Sequence, residues 1–147
     1  MKIGLASDHR GFKLKQKLTK YLKKKGYDIV DYGTNSSESV DYSDFGISLG
    51  EELQKNSVDY GIAICGSGIG ISIACNKVKG VRCAKVDNVR DAKIAREHNN
   101  ANIVAIGSNK FFFEIKDIID MFLKTKFTEE ERHIRRIKKI SDYEDKQ

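Results

Sequence analysis

The stretch AICGSGIGIS, residues 63–72, sets the reading of the whole chain: an apolar run ends in a thiol, and glycines follow at 66, 68 and 70. A short apolar run, a glycine-rich turn and a renewed apolar segment read as a strand, a tight loop and a helix start. Outward from there the same rhythm repeats. Residues 2–7, 27–32, 59–65, 81–86 and 102–107 are predicted strands, each followed by a segment of helical period. Leu14, Leu18, Tyr21 and Leu22 form one core-facing stripe, and Tyr42, Phe45, Leu49 and Leu53 form another. Residues 69–78, 88–98 and 110–124 supply three further helices. Strands alternating with helices predict an α/β fold: a single doubly wound three-layer domain over 1–147, with a five-stranded parallel sheet.

The tail leaves that alternation. Thr128 and Glu131 have the spacing of a capping box, so an extra C-terminal helix is predicted over 128–142. On a helical wheel Ile134 and Ile137 oppose Arg132, Arg135, Arg136 and Lys139. That helix needs a second surface, and a homodimer interface is the expected one.

Composition narrows the function classes. With 39% hydrophobic and 33% charged residues, the chain has the make-up of a globular protein. No apolar run reaches the length of a membrane span and no signal-peptide pattern opens the sequence, so a cytoplasmic location is expected, with no membrane partner. Cys65, Cys75 and Cys83 are odd in number and lack CxxC spacing, which favours reduced thiols over a disulfide framework or a zinc site. The net charge of +6 owes much to Lys13, Lys15, Lys17, Lys20, Lys23, Lys24 and Lys25 in one predicted helix, without interleaved aromatics. They read as a solvated face, not a nucleic-acid site.

In open parallel sheets, functional groups gather where strands end at their carboxyl edge. Cys65 stands at that edge, and the backbone amides of Gly66, Gly68 and Gly70, with the following helix dipole, make a site for negative charge that favours a thiolate. The alternative is a small buried hydrophobe before a turn, which is the preferred reading of Cys75 and Cys83. Ile71 stands where a dinucleotide fingerprint needs glycine or alanine and where a cysteine phosphatase loop needs arginine, and no Gly-Lys-Ser/Thr is present. What remains is a thiolate beside an anion hole, suited to moving a proton next to a carbonyl.

ASDHRG, residues 6–11, brings Asp8 and His9 to the same edge, where Asp8 can equally cap the first helix. REHNNANI, residues 96–103, sets His98, Asn99 and Asn100 at the opposite edge, where a histidine can simply complement the helix dipole, unless a partner chain brings it to the thiol. Arg132 and Arg136, one turn apart, have the spacing to grip one phosphate, or to be solvated. Of their neighbours, Arg135 is favoured over His133 as a third cationic contributor.

SDHRGFKLK, DYGTNSSESVDYSDF, ICGSGIGISIACNK, GVRCA and HNNANIVAIGS, with the tail arginines, resemble the B-type ribose-5-phosphate isomerases, in a family that includes galactose-6-phosphate isomerase subunits. The resemblance spans nearly the whole chain. It implies metal- and cofactor-free interconversion of ribose 5-phosphate and ribulose 5-phosphate through an enediolate, in the pentose phosphate pathway. The assembly it implies is a homodimer or tetramer with sites shared between subunits. By resemblance Cys65 is the base, the amides of Gly66, Ser67, Gly68, Ile69 and Gly70 hold the enediolate, and Ser67 moves protons between its oxygens. His98 of the partner subunit opens the sugar ring, with Asp8 and Tyr42 nearby; Asn99 binds sugar hydroxyls, and His9, Arg132 and Arg136 hold phosphate. Ser67 replaces a common threonine. Asn109, then Lys110, stand where the family commonly has a phosphate-binding arginine, and Lys110 is a candidate to supply that charge. Isomerisation of allose 6-phosphate or galactose 6-phosphate, and non-catalytic sugar-phosphate binding, are the alternative functions.

Overall fold

The computed structural model describes residues 1–147. The chain runs β1 (Lys2–Ser7), α1 (Phe12–Lys24), β2 (Asp28–Asp31), α2 (Tyr42–Gln54), β3 (Tyr60–Cys65), α3 (Ile69–Cys75), β4 (Cys83–Lys85), α4 (Val89–Asn99), β5 (Ile103–Gly107), α5 (Phe112–Lys124) and α6 (Glu131–Glu144). All strands are parallel, in the order β2-β1-β3-β5-β4. The predicted five strands and six helices are therefore present, with β4 reduced to three residues.

Burial explains why the three central strands are apolar throughout. Gly61–Cys65 of β3, Ile3–Ser7 of β1 and every residue of β5 are buried, as expected where helices cover both faces of a sheet. Leu18 and Leu22 of α1, Ala92 and Ala95 of α4, and Ile115, Ile119 and Phe122 of α5 share one core with Leu5, Ile62 and Ile106. Leu49 and Leu53 of α2 and Ile71 and Cys75 of α3 share the other with Ala6, Ala63 and Cys65. The layer of α1, α4 and α5 thus faces away from the layer of α2 and α3. Gly46 lets the latter pair approach closely: a Cβ there would lie 2.9 Å from Ala74 Cβ and 3.0 Å from the carbonyl of Ile71.

The chain leaves β1 toward one layer and β3 toward the other. That divergence opens a crevice at the carboxyl edge between the two strands, and β5 repeats it on the far side of β3.

Two expectations need correction. Lys15 is no part of a solvated face: it is fully buried and ion-paired with Asp31 at the end of β2. Its alkyl stem lies inside the helix-sheet seam, and the carboxylate meets the charge that burial would otherwise leave unpaired. Thr128 does not cap the last helix, which starts three residues later with Glu130 as an N-cap that makes no side-chain bond. Thr128 instead donates through its hydroxyl to the carbonyl of Glu97 at 2.9 Å, and so ties the tail to the end of α4.

Candidate active site

At the carboxyl ends of β1, β3 and β5 lies a cleft of about 450 Å³, lined by Asp8, Arg10, Tyr42, Cys65, Gly66, Ser67, Gly70, Ser108 and Asn109. Cys65 ends β3 with 4% of its surface exposed. Its Sγ accepts a hydrogen bond from the Gly68 amide at 3.1 Å. Gly68 makes that contact from the left-handed region, at φ +78°, where a side chain is disfavoured. The Ile69 amide donates to Ser67 Oγ at 3.2 Å, while the Ile69 side chain is exposed. The Gly68 amide is thus turned inward to the sulfur, while the Ile69 amide meets the serine oxygen at the exposed rim. Gly70 has no Cβ because Tyr42 occupies the space: one would sit 2.6 Å from Tyr42 Cζ. Tyr42 is 45% exposed, so the first position of the predicted core stripe belongs to the cleft wall.

Asp8 does not cap α1, whose N-cap is Gly11 without a side-chain bond. Its Oδ1 accepts from the amides of Arg10 at 2.9 Å and Gly11 at 3.0 Å, which shapes the turn into α1, and the residue still lines the cleft. His9 does not line it; its Nδ1 lies 3.2 Å from both the amide and the carbonyl of Val40. Asn109 is in the cleft wall, whereas Lys110 Nζ lies 3.7 Å from Asp87 Oδ1. Lys85 bonds the same carboxylate, and these lysines hold Asp87 below the usual carboxylate range, the Lys85 bond contributing most. Lys110 is thus turned away from the site that the sequence suggested for it.

His98, Asn99, Arg132 and Arg136 lie outside the cleft, around the end of α4 and along α6. Asn99 and Arg136 line a separate groove with Arg82, Ile137 and Ile140. Arg132 Nε donates to Glu130 Oε2 at 2.8 Å. Two arginines that sequence reasoning left without a role fix the turn bearing His98 and Asn99. Arg82 Nε donates to the carbonyls of Asn99 and Asn100, each at 3.1 Å. Arg96, only 4% exposed, donates to Asn100 Oδ1 and to the hydroxyl of Tyr60, both at 2.9 Å. Multiply bonded arginines of this kind, one buried and one half-buried, hold backbone geometry more than they offer charge.

His133 also departs from its reading as a bystander. It is the buried residue of α6, 3% exposed, and its ring stacks on His98 with centroids 4.4 Å apart and planes 12° from parallel. Burial lowers its pKa first, then repulsion from His98 and Arg132; Glu130 opposes them. A histidine held neutral in the folded chain is protonated more readily when unfolded, so stability falls as pH drops below about 6.5. In thermal melts between pH 7 and pH 5, His133→Phe is expected to lose less stability than the parent chain. An equal or steeper loss in the variant contradicts this assignment.

The family model described as Ribose/Galactose Isomerase matches residues 3–140. A putative sugar phosphate isomerase of Bacillus subtilis is 42% identical, over 99% of each chain. A Clostridium thermocellum ribose-5-phosphate isomerase B structure superposes with a TM-score of 0.96, at 47% identity over 99% of each chain. A Mycoplasma genitalium ribose-5-phosphate isomerase B structure with bound ribulose-5-phosphate gives a TM-score of 0.94, at 42% identity over 99% of this chain and 97% of that one. A parallel α/β sheet with a thiol and a row of backbone amides at its switch point describes an enzyme of small anionic substrates. The chain belongs to the ribose/galactose isomerase family.

Proposed function

We propose that the protein interconverts ribose 5-phosphate and ribulose 5-phosphate, with Cys65 as the base. The observation that carries this reading is the Cys65 sulfur at the cleft wall, held toward the loop by the Gly68 amide. A relative of 42% identity over nearly the whole chain binds ribulose-5-phosphate. The Cys65 thiolate takes the proton from C2 of the open-chain aldose, and the thiol so formed delivers a proton to C1. The electron pair left on C2 forms the enediolate, whose negative oxygen meets the amides of residues 66–70. Ser67 passes a proton between the two oxygens. One proton is taken and one is delivered, the thiol exchanging with solvent in between, and no external oxidant or reductant takes part. Base catalysis supplies about 10²- to 10⁴-fold and an oxyanion donor about 10²- to 10³-fold, so one loop carries most of the acceleration.

The active form on this reading is a homodimer or a higher assembly built on it. His98, Asn99, Arg132 and Arg136 lie beyond the cleft of their own chain, and α6 leaves Ile134, Ile140 and Tyr143 exposed. A second copy that covers that helix brings His98 of the partner subunit to the cleft for ring opening. It also brings the partner subunit's Asn99 to the sugar hydroxyls and its two arginines to the phosphate.

The test combines substrate choice with subunit mixing. The purified protein is expected to isomerise ribose 5-phosphate faster than allose 6-phosphate or galactose 6-phosphate. Cys65→Ala and His98→Asn chains, each inactive on cyclic sugar, are expected to recover about a quarter of parental activity when refolded together, because half the dimers then hold one intact site. Preference for a six-carbon sugar overturns the substrate assignment, and no recovery on mixing overturns the shared site. Sugar-phosphate binding without turnover returns the reading to a binding module.

A further inference from the structure

We propose that Arg10 binds the phosphate of the substrate, as the cation that each chain contributes to its own Cys65 cleft. This inference rests on the sugar-phosphate reading above and assigns a residue which that reading leaves unused. Arg10 lies in the turn between β1 and α1, lines the cleft and is exposed. Gly66 makes room for it: a Cβ there would lie 3.1 Å from Arg10 Cδ and 3.2 Å from Nη1. The guanidinium therefore lies across the loop that follows the thiol.

Its charge has no counterpart in the protein. Only the backbone amide of Arg10 is used, bonded to Asp8 Oδ1, and no carboxylate oxygen lies within 4.0 Å of the guanidinium. Lys110, the neighbouring cation, already faces Asp87. A guanidinium with free N–H groups beside backbone donors suits a phosphate dianion, which it can meet with two parallel hydrogen bonds.

The layers indicate which end of the substrate it meets. The Cys65 sulfur packs with the α2 and α3 side of the sheet, and the Gly68 amide opens α3. Arg10 precedes α1 and Asn109 precedes α5, both on the other side. A sugar phosphate lying across the loop thus places its reacting carbons by the sulfur and its phosphate by Arg10.

The test measures KM and kcat for ribose 5-phosphate, together with calorimetric affinity for inorganic phosphate, in the parent, Arg10→Ala and Arg10→Lys proteins. Loss of a charged bidentate contact is expected to raise KM about 10- to 100-fold in Arg10→Ala with a much smaller change in kcat, and to weaken phosphate binding by a similar factor. Arg10→Lys, which keeps charge but loses the fork, should fall between. Since the side chain has no protein partner, the melting temperature should stay within a few degrees of the parent. Unchanged KM and phosphate affinity overturn the assignment, as does a loss confined to kcat. If the parent binds phosphate through Arg10 but does not isomerise ribose 5-phosphate, the anion site stands and the proposed reaction fails.

Discussion

Cys65→Ala is expected to lower kcat/KM for ribose 5-phosphate by about 10³- to 10⁴-fold while the chain stays folded. The cleft offers no ready substitute. Its carboxylate, Asp8, is engaged through Oδ1 with the amides of Arg10 and Gly11 at the turn into α1. The thiol is 4% exposed and packs against the α2 and α3 core, so its removal leaves a cavity of about one sulfur atom and a modest loss of stability. The variant should therefore melt within a few degrees of the parent and still bind the sugar phosphate. Cys65→Ser, which nearly preserves the volume and keeps a hydrogen-bond acceptor for Gly68, separates packing from chemistry: a serine hydroxyl is a far poorer base, and activity should remain low. Parental turnover in either variant contradicts the assignment.

Gly68→Ala should produce the second large loss, through the backbone. Gly68 sits at φ +78°, and an added Cβ would lie 2.8 Å from the carbonyl carbon of Ile106 and 3.0 Å from the amide nitrogen of Gly107. Neither is the end of a flexible side chain. The loop must shift away from β5 and carry with it the amide that now points at Cys65 Sγ. A left-handed alanine costs about 1–2 kcal/mol before any clash is counted, so a lower denaturation midpoint is expected. Displacing one preorganised donor should reduce kcat by about 10²- to 10³-fold. A variant with reduced stability but parental kcat would show that the amides of residues 66–70 do not hold the developing charge.

Much of this architecture is legible in local pattern. The central strands are buried on both faces, so Tyr60–Cys65 and Ile103–Gly107 read as apolar runs, and the stripe of Leu14, Leu18 and Leu22 marks α1. Cys65 stands out because a thiol before three alternate glycines is an unusual end to a strand. What local pattern misses depends on contacts between segments distant in sequence. The order β2-β1-β3-β5-β4 returns β5 to a place between β3 and β4, which no single segment encodes. Lys15 is spaced like its lysine neighbours, yet Asp31, sixteen positions on, draws it inside. Thr128 has the spacing of a cap but finds the Glu97 carbonyl first. His133 falls among charged neighbours on the wheel, and only the fold places it against His98. Arg10 sits beside two more conspicuous residues, Asp8 and His9; its cue was a cation one step from the glycine loop once β1 and β3 are paired, with Ser7 opposite Ile64.

The central claim is that the Cys65 sulfur moves the proton between the two reacting carbons, and solvent exchange reads that step directly. With ribose 5-phosphate in deuterium oxide, the parent protein is expected to place deuterium on the reacting carbons of the recovered sugar phosphates, as followed by proton NMR. Folded, ligand-binding Cys65→Ala should leave those positions unlabelled over the same interval. Labelling by that variant at a rate within about tenfold of the parent, less than removal of a general base allows, would mean that another group takes the proton.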